Sequence, residues 1–373
     1  MRHDVAVIGL GAAGSAALLA LAGGGRRVIG IEHMTIGHDR GSSHGETRII
    51  RLGYFEHPSY VPLLRTAYRL WREIERSTGR NLMHITGIVE VGRADSELVA
   101  GTLRASREHA LPHEVLDAAA TMRRFPAYRI PSGFIGVFQP DGGYLEVEPA
   151  LQTMIGLAKA AGAEVLVETA VHSISASGSG VRIETATGAI EADTAIVSAG
   201  AWLPSLLPEL AAWVRPTRQV QAWFEPTDPA PFANGRFPVF LIESRHGQHY
   251  GFPPQHGRVK IAKHHHADET IDPDRIDRTV SEADIAMIRA ALAEHIPSAN
   301  GRLIKASTCI YTVTPDHDFI IDRLPGRPNI VVASPCSGHG FKFAPVMGEV
   351  LADLATAGTT PHNISRFRLA RFG

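Results

Sequence analysis

Cysteine is nearly missing from this sequence: Cys309 and Cys336 are the two in 373 residues. A single pair cannot staple a small secreted scaffold, and so sparse a complement suits a reducing compartment, so the cytoplasm is the expected location. Net charge is missing too, since 37 Lys and Arg stand against 38 Asp and Glu, and no long stretch is dominated by one sign. The basic footprint of a nucleic-acid binder is therefore absent, and small molecules are the expected partners. An unbroken apolar span is also lacking. Val5 to Gly25 carries no charge over 21 residues, but Asp4 stands where a signal peptide needs a positive residue and six glycines interrupt the run. Each such glycine costs about 1 kcal/mol in a helix interior, so neither membrane nor signal segment is expected. With 44% hydrophobic and 20% charged residues the chain reads as globular, and at about 150 residues per domain its length predicts two to three domains.

What is present begins with a strand, a turn, a helix and a strand. Asp4 to Ile8 reads as a buried strand, Gly9 to Gly14 as a turn, Ser15 to Ala22 as an apolar helix and Arg27 to Glu32 as a second buried strand, which is a parallel βαβ unit. Tyr60 to Arg76 has helical spacing, and Ile85 to Val91 reads as strand. A later block predicts a helix over Ala150 to Ala161 and strands at 164–168, 181–185 and 193–200, and the strand Ile330 to Ser334 with a helix from Phe343 to Leu354 returns to the same pattern. Between these blocks, Gln219 to Phe224, Phe240 to Ile242, His249 to Phe252 and Arg258 to Ile261 predict a separate antiparallel sheet. The expected fold class is α/β: a Rossmann-like dinucleotide-binding domain (1–85, 145–212 and 315–373) interleaved with an antiparallel-sheet substrate domain (86–144 and 213–314).

Gly9-Leu10-Gly11-Ala12-Ala13-Gly14 matches G-x-G-x-x-G between strand and helix. There the glycines allow a tight turn, close approach of a pyrophosphate and helix–strand packing. Glu32, 32 − 14 = 18 residues past Gly14, stands where an acid accepts hydrogen bonds from a ribose. The motif does not separate a nicotinamide from a flavin dinucleotide. Residues 41–51 gather His44, Arg48 and Arg51 among small residues; paired guanidiniums suit a carboxylate or phosphate, or else a solvated loop. Ser43 and Glu46 fit a capping box, so a short helical turn competes here with a strand through Ile49 and Ile50. Lys260 alternates against Val259 and Ile261, as either an edge charge or a buried functional cation. His264-His265-His266 has metal-ligating residue types, but three consecutive His cannot face one ion from a strand, and no metal is expected. Cys309 taken alone reads as a small buried hydrophobe, and Ser337-Gly338-His339-Gly340 as a turn into a helix whose first turn holds Lys342.

In combination, the 9–14 and 41–51 segments, Lys260 to His264, Cys309 to Asp316 and Ser337 to Phe343 resemble the monomeric sarcosine oxidase family, closest to its N-methyl-L-tryptophan oxidase branch. The resemblance spans nearly the whole chain. It implies a monomeric FAD-dependent secondary-amine oxidase, with D-amino acid oxidase-like fold, that uses dioxygen to demethylate an N-methyl amino acid. Formaldehyde, hydrogen peroxide and the demethylated amino acid are the implied products. FAD is implied to be covalent, 8α-S-cysteinyl at Cys309, with Gly9, Gly11, Gly14, Glu32, Ser43, Thr47, Gly338 and Gly340 holding it. Arg51 and Lys342 are implied to bind the substrate carboxylate and Lys260 to activate dioxygen. Arg48 and His44 are implied to lie beside the flavin ring, and Tyr250 and His264 to line the substrate side.

Two departures bear on the substrate. Cys336 stands where the family has a larger apolar residue, and two further His follow His264 in place of a glycine-rich turn. Three alternatives compete. An oxidase of a cyclic imino acid or of a primary amino acid, of the pipecolate, glycine or D-amino acid type, keeps the fold; the glycine and D-amino acid types lack the linking cysteine. A flavin dehydrogenase passing electrons to a partner protein has no use for Lys260. A silent dinucleotide-binding module has no use for Cys309, Lys260, Arg51 and Lys342 together.

Overall fold

The computed structural model describes residues 2–373 except Asn234. A sheet whose central strands, His3–Ile8 and Val28–Ile31, are almost wholly buried runs in the order Val171–Ser177, Gly180–Thr185, Gly188–Val197, His3–Ile8, Val28–Ile31, Glu164–Leu166. His3–Ile8 is parallel to both its neighbours, with Val5 opposite Thr194 on one side and Val28 on the other. The long strand Gly188–Val197 changes partner midway. Its first half is antiparallel to Val181–Thr185, and Ala195 to Val197 run parallel to Ile330–Val332, beyond which Ile320–Leu324 is added. Helix Ala12–Gly23 packs against helices Val147–Ala160 and Ala344–Thr356. The charge-free run from Val5 therefore divides into strand, turn and a 12-residue helix. Among the described residues no helix is long and apolar enough to cross a membrane.

A second sheet runs Arg302–Val313, Arg215–Glu225, Val259–Lys263, Gly247–Gly251, Val239–Ser244, Ile88–Arg93, Phe134–Gln139, Glu114–Asp117. It is not purely antiparallel as expected: Val239–Ile242 pairs in parallel with Ile88–Val91. The sheet is built from two distant stretches of chain, and where they meet no hairpin dictates antiparallel direction. Within it Lys260 lies opposite Trp223, and Cys309 opposite Gln219. Val220, Ala222, Phe224, Phe240, Ile261 and Ile288 form its core, closed by helix Glu282–His295, which opens with a capping box of Ser281 and Asp284.

A small third sheet, Thr47–Ile50, Gly143–Glu146 and Met83–Ile85, joins the two. The strand expected over 85–91 is in fact two strands in different sheets, separated at Gly87, whose φ of 73° turns the chain. Residues 43–46 form no helical turn. Gly45 and Glu46 have φ of 88° and 72°, and consecutive left-handed residues cannot begin a right-handed helix. Ser43 nonetheless meets a helix start, because its Oγ accepts from the Ala12 amide at 3.3 Å.

Candidate active site

A cavity of about 660 Å³ runs from the Gly9–Ala13 turn and Glu32 to Arg51, Glu56 and Lys342. At the first end the glycines are required. A Cβ on Gly14 would lie 1.9 Å from the Gly9 carbonyl oxygen, and one on Gly9 would lie 2.7 Å from the Ser198 oxygen. Glu32 accepts from the Leu10 amide at 2.7 Å and from the Met34 amide at 3.1 Å. Burial raises its pKa, but His38 and those two amides outweigh it, so the carboxylate is held ionised. A glycine turn, a helix amino end and a buried carboxylate on the next strand make a cradle that fits a dinucleotide.

The other end concentrates charge. Arg51 is 3% exposed. Its Nη1 donates to the Gly53 carbonyl at 2.8 Å, and its Nη2 reaches both carboxylate oxygens of Glu56 at 2.9 and 2.7 Å. The guanidinium lies over the rings of Tyr54 and Phe55. Behind it Glu90 is fully buried, with one oxygen 3.7 Å from Arg51 Nε and the other accepting from Gln139 at 2.7 Å. Burial pushes the Glu90 carboxyl up to about 7 despite Arg51. Lys342 donates to the His339 carbonyl at 2.6 Å; burial, then Arg51, pushes its pKa down to about 7. The cavity thus ends in two cations, one already holding a carboxylate.

A third group lies between these ends. Arg48 donates to the Ser42 and Thr47 carbonyls at 2.7 and 2.9 Å, and its Nη2 is 3.6 Å from Cys309 Sγ. Burial raises the Cys309 thiol pKa and Arg48 pulls it back. Lys260, 3% exposed, donates to the carbonyls of Gly45 and Thr47 at 2.6 and 2.9 Å and lies over the Phe252 and Trp223 rings. Burial, then Arg48, holds its pKa well below the usual lysine value. His44 is held down to about 3 by burial, Arg48 and Lys260, so its ring is neutral.

Of the residues expected from sequence, Gly9, Gly11, Glu32, Ser43, Arg48, Arg51, Tyr250, His264, Gly338, Gly340 and Lys342 line the cavity. Gly14, His44, Thr47, Lys260 and Cys309 are not on its wall, although Cys309 Sγ lies 3.6 Å from Arg48, which is. His264 Nδ1 lies 3.4 Å from the Tyr311 hydroxyl, which is 3.5 Å from that of Tyr250. Burial, then His265, keeps His264 uncharged. The turn expected of glycine after His264 survives, because His265 adopts φ of 50°. His266 departs from its neighbours to Asp284, at 2.9 Å. Cys336 lines the cavity and accepts from the Thr312 amide at 3.4 Å.

Sequence reading passed over Glu56, Glu90 and Gln139. Glu90 did leave a signal: it interrupts Ile88-Val89-Glu90-Val91, an otherwise apolar strand, and a charge there calls for a buried partner.

The FAD dependent oxidoreductase (DAO) family model matches residues 4–354. A monomeric sarcosine oxidase of Streptomyces avermitilis is 41% identical over 370 residues, covering 98% of this chain and 96% of that protein. An N-methyl-L-tryptophan oxidase of Salmonella heidelberg is 38% identical over 379 residues, with 100% of each chain covered. Among solved structures, NikD, an amino acid oxidase essential for nikkomycin biosynthesis, aligns with a TM-score of 0.86 at 25% identity, covering 98% of this chain and 97% of its own. Identity of this order along almost the whole of both relatives makes the chain a member of the FAD-dependent oxidoreductase family, in the group of the monomeric sarcosine and N-methyl-L-tryptophan oxidases.

Proposed function

We propose that the protein oxidises the methyl C–N bond of an N-methyl amino acid, of sarcosine or N-methyl-L-tryptophan type, and passes the electrons to dioxygen. The products are the demethylated amino acid, formaldehyde and hydrogen peroxide. The observation that carries this reading is Arg51, a buried guanidinium holding the carboxylate of Glu56 at the cavity wall beside Lys342. A substrate carboxylate can take the place of Glu56, with Arg51 as its hydrogen-bonding partner and Lys342 as a second positive charge.

The residues present fit FAD. Gly9, Gly11, Gly14 and Glu32 would hold the adenosine and pyrophosphate, and Ser43, Thr47, Gly338 and Gly340 the remainder. Cys309 would form the 8α thioether; support comes from Arg48, whose charge 3.6 Å away offsets part of the upward push of burial on the thiol. When bound, FAD accepts the two electrons of the substrate and gives them to dioxygen. The protein supplies orientation and field. Arg51 and Lys342 anchor the carboxylate and disfavour the ammonium form of the nearby amine, which must be neutral to be oxidised. Neutral His264, Tyr250 and Tyr311 close the substrate side without adding charge. Lys260 is the fixed cation that stabilises negative charge developing on dioxygen. The reading includes a monomer in a reducing compartment; neither cysteine is in a disulfide, and the Streptomyces relative is monomeric by name.

The test is acid precipitation of the purified protein together with peroxide assays on sarcosine, N-methyl-L-tryptophan, pipecolate, glycine and D-alanine. A yellow pellet that becomes colourless in Cys309→Ser, with turnover of an N-methyl amino acid, is the expected result. Flavin released to the supernatant by the unaltered protein refutes the covalent link, and turnover confined to primary amines refutes the substrate class.

A further inference from the structure

Lys260 is buried, and among the described residues no carboxylate touches it. Its ammonium is held by the carbonyl oxygens of Gly45 at 2.6 Å and Thr47 at 2.9 Å, with Thr47 Oγ1 at 3.4 Å. The Gly45 carbonyl belongs to a turn in which Glu46, a residue with a side chain, sits at φ of 72° after Gly45 at 88°, and the Thr47 carbonyl belongs to the start of the strand that this turn leads into. Successive N–H groups in such a turn converge on one point and make a small anion-binding concavity. Glu148 fills it: one oxygen accepts from the Gly45 amide at 2.8 Å and the Glu46 amide at 3.3 Å. Glu148 stands in the first turn of helix Val147–Ala160, where the helix amino end also favours a carboxylate. The same helix grips the turn from its other side, since the Val147 amide donates to the Glu46 carbonyl at 2.9 Å. The Glu46 side chain is itself tied to Trp223 Nε1 at 2.8 Å and Lys305 at 3.2 Å.

We propose that Glu148 is a positioning residue for Lys260. By holding the Gly45–Glu46 turn it aims the Gly45 carbonyl, and through the adjoining strand start that of Thr47, at the ammonium, and its carboxylate adds, at one remove, negative charge beside the buried cation. This rests on the reading of Lys260 as the group that serves dioxygen. The charged and titratable groups facing Lys260 are Arg48 and His44, which oppose its charge, and Cys309, Glu46 and Glu148, which favour it. Of the two glutamates, only Glu148 binds the turn amides; Glu46 is directed to Trp223 and Lys305.

The test uses FAD-loaded enzyme with Glu148→Ala, Glu148→Gln and, as reference, Lys260→Met. Stopped-flow spectroscopy follows reduction by the preferred N-methyl amino acid and reoxidation by dioxygen between about pH 6 and 9. Glu148→Ala is expected to slow reoxidation by about tenfold or more, the scale of losing charge-assisted hydrogen bonds, while reduction stays within about twofold. Glu148→Gln keeps an acceptor oxygen and loses the charge, so its reoxidation is expected to match the unaltered enzyme at low pH and fall away at a lower pH as Lys260 loses its proton. Slow Lys260→Met with both Glu148 variants unaffected overturns the inference. So does a Glu148→Ala enzyme slowed equally in both half-reactions or unable to hold flavin, which marks a structural role. Unchanged reoxidation in Lys260→Met overturns the underlying reading of the lysine.

Discussion

Replacing Glu90 with glutamine is expected to stabilise the protein at pH 8 and to leave its stability nearly unchanged at pH 5, although Glu90 sits beside Arg51. The carboxyl has its ordinary value of 4.5 in the unfolded chain and about 7 in the folded one. Between those values the folded state holds a proton that the unfolded chain has already released. The contribution of this group is therefore fully favourable below pH 4.5, declines as pH rises, and reaches its full penalty above pH 7. At 1.36 kcal/mol per pH unit, the gap of 2.5 corresponds to about 3 kcal/mol. Arg51 does not cancel this, because its Nε stays 3.7 Å away and its hydrogen bonds go to Gly53 and Glu56. Glutamine keeps the oxygen that accepts from Gln139 and removes only the charge. The assay is urea denaturation of the FAD-loaded protein and its Glu90→Gln variant at pH 5, 6, 7 and 8. A stability difference that grows by about 2–3 kcal/mol over this range is expected. A difference independent of pH, or a variant weaker at pH 8, would show that the Glu90 charge is compensated and the reasoning wrong.

Two further outcomes follow from buried charges. Lys342→Met is expected to raise KM for carboxylate substrates by about tenfold or more with a much smaller change in kcat; in the unaltered enzyme, affinity for acetate is expected to fall as pH rises through about 7, where Lys342 loses its charge. An unchanged KM in the variant would remove Lys342 from the carboxylate site. Asp284→Ala leaves Arg218 buried without the carboxylate that it contacts at 3.0 and 2.9 Å, and a loss of about 3–5 kcal/mol is expected in chemical denaturation, with a loss below about 1 kcal/mol showing that water replaces the partner.

The nucleotide end was legible because its demands are local. A tight turn, a close backbone approach and an acid on the next strand fall within 32 residues, and each is met by a residue type that few other roles require. The reactive end was legible only in part. Arg51 and Lys342 stood out as cations among small residues, yet Glu56 looks like any polar residue of a loop, and Gln139, at a strand end, meets Glu90 and the Gly53 amide only once strands far apart in sequence are side by side. Glu148 gave no signal, since a glutamate in a helix first turn is commonplace. The Ser43–Glu46 spacing misled for a related reason. In a sequence a capping box is read from spacing alone, whereas here Gly45 and Glu46 have positive φ and their amides go to Glu148, more than a hundred residues away.

The strand Gly188–Val197, which changes partner halfway along, has a consequence for biosynthesis. His3–Ile8 is made first but lacks one neighbour until residues 192–197 exist, and that neighbour lacks its own until Ile330–Val332 arrive. Pairings this distant fold slowly, and a strand edge left open meanwhile is prone to aggregation. Since Gly338, Gly340 and Lys342 are part of the cavity wall, that wall is complete only in a chain translated through those residues. The half-assembled sheet therefore keeps an open edge through most of synthesis, and the cavity it carries closes last.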